Sequence, residues 1–306
     1  MSLPRGIIPV LQTPFGDDGG IDHEGLGRLI DDAIEGGAVG FLYPAVASEV
    51  GTLTGGERDE LGRFVHARIG GRAALIAGCS SADADECARL AMGAEANGAD
   101  AVLVSAPDGL REDGAGLVRF MRQAAGGVRL PLIVQDLDWT GGGVAMAALL
   151  RLRDEVAQFA GIKIEAVPAG PKYTAAREVL GPGFHVSGGW ATPQMIEAMD
   201  RGVDGLIPEA SMVRVYNAIW RLHEEGRRAE AVELFRRFVP VLTFSNQEIH
   251  LSIALFKRLL RRKGIFAGER MRAGAFAWDD YNLRIADEMI NLYLELEAGL
   301  EAGSGS

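Results

Sequence analysis

The sequence predicts an α/β protein built as a (β/α)8 barrel, a TIM barrel, with a C-terminal three-helix extension. Short apolar runs and longer amphipathic runs alternate eight times. Eight such units in about 220 residues are typical of this barrel. The short runs are almost continuously apolar, as parallel strands covered by helices are. An open, doubly wound sheet is the alternative, and the absence of a G-x-G-x-x-G motif after the first strand disfavours it.

Each predicted strand is a short apolar, β-rich run that is followed by turn-forming or polar residues. The intervening helices have one polar face, and several end at Gly, a common signal for the end of a helix. On this basis we expect strands at residues 6–12, 39–44, 73–78, 100–106, 131–136, 159–165, 184–189 and 204–209.

The pattern changes after Met212, where three helical segments follow one another without strands between them. We therefore expect the TIM barrel in residues 1–210. The last barrel helix and a C-terminal helical extension should occupy residues 211–300, and residues 301–306 should form a disordered tail.

Composition limits the classes of partner and the location. The 306 residues carry a formal net charge of −11, which argues against nucleic acid as the main partner. No apolar run approaches the ~20 residues that span a bilayer, and the N-terminus lacks a signal-peptide pattern, so we expect no membrane partner. The two cysteines cannot build a disulfide framework, which favours a reducing, cytoplasmic location. The histidines and cysteines show no metal-ligand spacing, and we expect neither a metal nor another cofactor.

A lysine lies inside the predicted sixth strand, in the stretch GIKIEA. Residues two apart on a strand share a face, so Gly161, Lys163 and Glu165 should point into the barrel and Ile162 and Ile164 toward the helices. Active sites of TIM barrels lie at the C-terminal ends of the strands, where Lys163 falls. Burial favours a neutral amine, which can attack a ketone and form a Schiff base. The alternative is a structural ion pair between Lys163 and Glu165.

Other strand ends add candidates. After the second strand, the small residues Ala47 and Ser48 allow a ligand to approach the backbone, whose amides can bind a carboxylate. A plain turn is the alternative. Candidates with side chains that bind or react are Glu49 in the same loop and Gln135 and Asp136 at the end of the fifth strand. The predicted substrate-binding set is Ala47, Ser48, Glu49, Asp136, Gly188 and Ile207; the predicted catalytic set is Lys163, Glu165 and Gln135.

The chain resembles the dihydrodipicolinate synthase / N-acetylneuraminate lyase family of class I aldolases. The resemblance rests on GIIPVLQTPFGDDGGID at the first strand, SEVGTLTGGER after the second, LIAGCSS at the third, GADAVLVSAP at the fourth, GIK at the sixth and the helical tail. It implies a TIM barrel with that tail, usually assembled as a homotetramer or as a dimer. It also implies a Schiff base between Lys163 and pyruvate or another 2-oxo acid.

The same resemblance exposes departures from the family pattern. The family's two threonines after strand two fall on Val46 and Ala47, and its strand-five tyrosine falls on Gln135. The tyrosines after strand four are replaced around Gly109, and the arginine that binds a second substrate falls near Thr140. A glutamine amide does not transfer protons at neutral pH. We therefore do not expect authentic dihydrodipicolinate synthase activity.

Three hypotheses follow. The first is a Schiff-base lyase, aldolase or dehydratase acting on pyruvate or a 2-oxo (deoxy sugar) acid through Lys163, with Glu165 as the first acid/base candidate and Glu49 and Asp136 after it. The second is a catalytically degenerate barrel that binds a 2-oxo acid or has a regulatory role. The third is a conventional synthase with another proton relay.

Overall fold

Eight parallel strands form one sheet in the computed structural model, which describes residues 3–190, 192–272 and 274–303. Their spatial order is β1-β8-β7-β6-β5-β4-β3-β2, and Val10 bridges both Leu42 and Glu209, which closes the sheet into a barrel. The strands are β1 (Gly6–Ile7), β2 (Gly40–Tyr43), β3 (Ala74–Gly78), β4 (Ala101–Ser105), β5 (Leu132–Asp138), β6 (Phe159–Ala166), β7 (His185–Gly189) and β8 (Gly205–Ile207).

Helices alternate with the strands, and three more follow the barrel, which confirms the predicted fold class. The barrel helices are α1 (His23–Glu35), α2 (Gly55–Ile69), α3 (Ala84–Ala96), α4 (Gly114–Ala125), α5 (Met146–Glu155), α6 (Ala169–Leu180), α7 (Met195–Asp200) and α8 (Val213–Glu224). The extension consists of α9 (Arg228–Ser245), α10 (Ile249–Arg262) and α11 (Asp280–Gly303). No helix in the described part of the chain is long and apolar enough to cross a membrane.

The first strand is much shorter than the predicted 6–12. Pro9 has no amide hydrogen, so it cannot donate to either neighbouring strand and regular pairing stops before it. The chain still runs along the barrel wall, since the Val10 amide donates to the Pro208 carbonyl at 2.8 Å. The barrel therefore closes through isolated bridges rather than a long strand.

Two apolar layers place the site at one end of the barrel. Inside the barrel, a small cluster that includes Ile8, Leu42, Ile76, Leu103 and Ile133 fills the space below the strand ends. A larger cluster lies between the outer face of the sheet and the helices. Because this cluster fills the middle of the barrel, the cleft lies above it, at the C-terminal ends of the strands.

The C-terminal extension reaches the barrel mouth through α10. Ile249 and Phe256 of this helix line the cleft above the strand ends. Next to them, the buried Lys257 ammonium pairs with the Glu49 carboxylate and donates to the Arg270 carbonyl at 2.7 Å. The last helix extends to Gly303, so it enters the segment predicted as a disordered tail; residues 304–306 lie outside the described part of the chain.

Candidate active site

Strand β6 carries the two side chains at the centre of the site. Lys163 and Glu165 point into the barrel mouth, while Ile162 and Ile164 lie in the core between sheet and helices, so the predicted alternation is confirmed. The Lys163 Nζ atom lies 2.9 Å from Glu165 Oε2, and each side chain is 5% exposed. The amine and the carboxylate therefore form a buried pair that still borders a cleft.

A series of hydrogen bonds runs from this pair across β5 and β4 to the segment that follows β3. Gln135 Nε2 donates to Glu165 Oε2 at 2.6 Å, and Ser105 Oγ donates to Gln135 Oε1 at 2.6 Å. Ser105 Oγ lies 3.0 Å from Ser80 Oγ, which also accepts from the Ser105 amide at 2.9 Å. Gln135 and Lys163 are paired in register on β5 and β6. These hydrogen bonds hold both the oxygen and the nitrogen of the Gln135 amide and orient the Glu165 carboxylate.

Sequence reasoning missed Ser80 and Ser105. Both belong to segments that it had quoted, at the ends of strands three and four, but neither was considered as part of the site. A polar residue that lies at a strand end in the inward phase was the available signal.

The turn after β2 supports the cleft differently from the prediction. The Ser48 hydroxyl donates to the Leu11 carbonyl at 2.6 Å and accepts from the Ala45 amide at 3.0 Å. The Ser48 amide donates to the Ala45 carbonyl at 2.9 Å. These bonds engage the Ser48 groups that were expected to bind a carboxylate, so Ser48 closes the turn instead. Ala47 and Val46 do line the cleft.

Glu49 and Asp136 are not brought to Lys163. Glu49 is 4% exposed and pairs with Lys257 of the extension. Asp136 follows Gln135 on β5 and therefore points to the opposite face, where its Oδ2 lies 2.5 Å from Lys172 Nζ. Burial raises the pKa of Asp136, and Lys172 opposes that shift. Both carboxylates have structural partners of their own, which corrects their assignment to the substrate-binding set and to the acid/base candidates.

The glycine that faces the pair is Gly189 rather than Gly188. A Cβ atom placed on Gly189 would lie 2.5 Å from Lys163 Cε and 2.6 Å from Glu165 Oε1. At Gly188 it would instead meet the Tyr173 hydroxyl at 2.5 Å, on the helix side of the sheet. The predicted position is therefore displaced by one residue, because β7 alternates in the same way as β6. Any side chain at Gly189 would collide with the pair.

Two tryptophans line the same cleft as Lys163 and Glu165. Trp139 follows β5 and Trp190 follows β7, the two strands that flank β6, and their ring centroids lie 4.2 Å apart at an angle of 39°. Together with residues from β8 and α10, they border the cleft above the strand ends. We call Trp139 and Trp190 the tryptophan pair. Sequence reasoning missed both, since loop residues from separate strands meet only once the barrel has formed.

Strand β8 ends at the cleft with the predicted Ile207. Glu209, which was not predicted, follows the strand and also lines the cleft. Glu209 accepts hydrogen bonds from the Ser211 and Met212 amides and, at 3.3 Å, from Gln12 Nε2. Burial raises the pKa of Glu209 to about 7, against the opposing effect of these bonds. The carboxyl group thus holds the start of α8.

No group of three or more His, Cys, Asp or Glu side chains in the described ranges is arranged to hold a metal ion. The chemistry that the described residues can offer is that of an amine, a carboxylate and an amide at the end of β6 and β5.

The fold and this site define a TIM-barrel protein with a buried lysine and glutamate at the mouth of the sixth strand. Residues 3–280 match the family model described as "Dihydrodipicolinate synthetase family". The chain therefore belongs to the dihydrodipicolinate synthetase family, and it is a carbon–carbon or carbon–oxygen lyase of that family.

Similar proteins carry several different names. The chain is 28% identical to L-2-keto-3-deoxyarabonate dehydratase from Azospirillum brasilense, over 88% of this chain and 87% of that protein. It is 32% identical to 4-hydroxy-tetrahydrodipicolinate synthase from Chlorobium luteolum, over 78% and 81% of the two chains. Among solved structures, 4-hydroxy-tetrahydrodipicolinate synthase from Methylacidiphilum fumariolicum SolV superposes with a TM-score of 0.89 at 25% identity, covering 98% of this chain and 99% of that one.

Proposed function

We propose that the chain is a Schiff-base lyase, an aldolase or dehydratase, that acts on pyruvate or a longer 2-oxo acid through Lys163. The observation that carries this proposal is the buried amine of Lys163, 2.9 Å from Glu165 Oε2 at the open end of the barrel. A lysine in such a position has a partner that can accept its proton and a cleft that can admit a carbonyl compound.

The first step forms the Schiff base. The Lys163 ammonium passes a proton to Glu165, and the neutral amine attacks the C2 carbonyl of the 2-oxo acid. One of the nitrogen protons moves to the former carbonyl oxygen, which becomes a hydroxyl. The protonated Glu165 then gives its proton to this hydroxyl, so that water leaves and a C=N bond remains. Glu165 is a carboxylate again, ready to act as a base.

The second step uses the Schiff base as an electron sink. In aldol cleavage, Glu165 accepts the proton of a C4 hydroxyl, the C3–C4 bond breaks, and its electron pair forms the enamine of pyruvate while an aldehyde departs. In dehydration, Glu165 instead takes a C3 proton to give the enamine and then passes that proton to the C4 hydroxyl, which leaves as water while a C3=C4 bond forms. After cleavage, the protonated Glu165 returns its proton to C3 of the enamine. In both branches, hydrolysis of the C=N bond then releases the product and restores Lys163.

Gln135 acts in this scheme as a positioning residue. Its amide cannot carry a proton at neutral pH, yet it donates to Glu165 Oε2 and is itself held by Ser105. Two hydrogen bonds to one amide restrict its rotation and hence the direction of the carboxylate. We propose that the serine–glutamine chain replaces the orienting part of the tyrosine relay, while Glu165 carries the protons.

The substrate carboxylate is proposed to bind at the turn after β2, where Ala47 lines the cleft beside Val46. This turn offers backbone rather than side-chain groups, because the Ser48 hydroxyl is engaged with Leu11 and Ala45. We further propose a cytoplasmic location and assembly as a homotetramer or dimer. Sedimentation velocity would test the assembly.

Release of pyruvate from 4-hydroxy-2-oxo acids, or loss of water from them, tests the proposed function. We expect turnover with the unaltered protein and none with Lys163→Arg, which keeps the positive charge beside Glu165 but removes a usable amine. Turnover retained in Lys163→Arg would contradict the proposal. Condensation of pyruvate with aspartate semialdehyde should be about 10²–10⁴-fold slower than in proteins with the full relay, because Gln135 cannot transfer a proton.

A further inference from the structure

The cleft wall beyond the Lys163–Glu165 pair is apolar. Val10, Leu137, Ile207 and Phe256 line it together with the tryptophan pair. The tryptophan pair lies beside the end of β6, because Trp139 follows β5 and Trp190 follows β7, the strands on either side of β6. A substrate attached to Lys163 would therefore extend along aromatic and aliphatic surface.

Charge at the cleft disfavours an anionic far end. Among the described residues that line the cleft, Lys163 is the single cation, and Glu165 and Glu209 are acidic. Lys163 is already paired with Glu165 at 2.9 Å. A distal carboxylate or phosphate would lose water without gaining a counter-ion and would face like charge.

Hydrogen bonding disfavours a polyhydroxylated chain. The polar side chains Gln135, Glu165 and Glu209 are each engaged with protein partners. Sites that select hydroxyl groups do so through polar groups that the ligand alone satisfies. The one exception on this wall is the Trp190 indole N–H, which is buried without a partner among the described residues. A single donor suits one acceptor on a flat ring better than a row of hydroxyls.

We infer that the site takes 2-oxo acids whose far end is aromatic or otherwise flat and apolar, and that the tryptophan pair selects that group. The inference rests on the proposed function, since it assumes that the 2-oxo group is anchored at Lys163. A phenyl ring would stack on Trp139 or Trp190, and aromatic contacts of this kind favour offset or tilted geometry such as the 39° between the two indoles.

Borohydride trapping at a series of concentrations of each 2-oxo acid tests the inference. The probes are pyruvate, 2-oxoglutarate, a 2-oxo-3-deoxy sugar acid and 2-oxo-4-phenylbutanoate, and the readout is the concentration that gives half-maximal adduct. We expect the phenyl compound to reach it at a concentration at least about tenfold lower than 2-oxoglutarate or the sugar acid. Trp139→Ala should raise the half-maximal concentration of the phenyl compound, relative to that of pyruvate in the same variant, by about three- to tenfold.

Two variants control for folding. Tyr281→Ala removes an aromatic side chain that is 66% exposed and outside the cleft, and it should change no value. Trp139→Phe keeps a ring and should recover most of the preference. Equal or better trapping of 2-oxoglutarate or the sugar acid would overturn the inference alone. Failure of pyruvate itself to form an adduct would overturn the proposed function and, with it, the inference.

Discussion

Replacing Glu165 by Gln separates its chemical part from its structural part. The amide has nearly the same shape as the carboxylate, but it carries no titratable proton. In the structure, Glu165 Oε2 accepts a hydrogen bond from Gln135 Nε2 at 2.6 Å and lies 2.9 Å from Lys163 Nζ. Glu165→Gln can keep one oxygen facing these donors, so the cleft should remain intact while proton transfer stops.

The expected magnitude follows from these contacts. Loss of a positioned acid/base group typically lowers turnover by about 10²–10⁴-fold. Both side chains of the pair are only 5% exposed, so removing the carboxylate charge leaves the amine without its ion-pair partner in a poorly solvated place. Breaking a buried pair from one side costs about 3–5 kcal/mol if the remaining group stays charged. Deprotonation of the amine would reduce that cost, and the neutral amine remains able to form a Schiff base.

Two assays on the same variant give the answer. Borohydride trapping with pyruvate measures the covalent step, and product release measures turnover. We expect Glu165→Gln still to accumulate an adduct, although more slowly because Glu165 no longer relays the protons of its formation, while turnover falls by at least about 10²-fold. Glu178→Gln, an exposed carboxylate on α6, is the matched control and should change neither. Unchanged turnover in Glu165→Gln would refute the acid/base role and leave only the structural ion pair.

Three further predictions concern the surroundings of the pair. Gln135→Leu removes the donor to Glu165 and should lower turnover about tenfold with trapping retained, as measured by the same two assays; unaltered turnover would exclude the positioning role. Glu209 has a pKa raised to about 7, so its burial destabilises the fold increasingly as the pH rises from about 4.5 to about 7, by up to about 3 kcal/mol. Urea unfolding measures the free energy of unfolding at pH 5 and at pH 8. The decrease between the two pH values should be smaller in Glu209→Gln than in the unaltered protein, and equal decreases would contradict this reasoning. Lys257→Met removes the ammonium beside Glu49 and should lower the free energy of unfolding by about 3–5 kcal/mol, whereas Arg261→Met, in an exposed pair with Glu269, should cost under about 1 kcal/mol.

The sequence was sufficient for the fold and for the centre of the site. Continuously apolar strands predicted a parallel barrel, and residue alternation on β6 placed Lys163 and Glu165 inside it. The same alternation would have excluded Asp136, since Gln135 before it points inward.

Other features could not be predicted from local patterns. The partner of Glu49 is Lys257, on a helix that follows the barrel, and the pairing depends on how the extension packs over the mouth. The tryptophan pair joins loops after β5 and β7, and its contact depends on β6 lying between them. Such long-range contacts follow from tertiary packing, which no short motif encodes.

Covalent capture at Lys163 tests the central claim most directly. The chain contains four lysines, so peptide mapping after treatment with pyruvate and borohydride can assign the site of modification. The account predicts an adduct on Lys163, no modification of Lys172, Lys257 or Lys263, and loss of the adduct in Lys163→Ala. An adduct on another lysine, or an unmodified chain across pyruvate and longer 2-oxo acids, would contradict it.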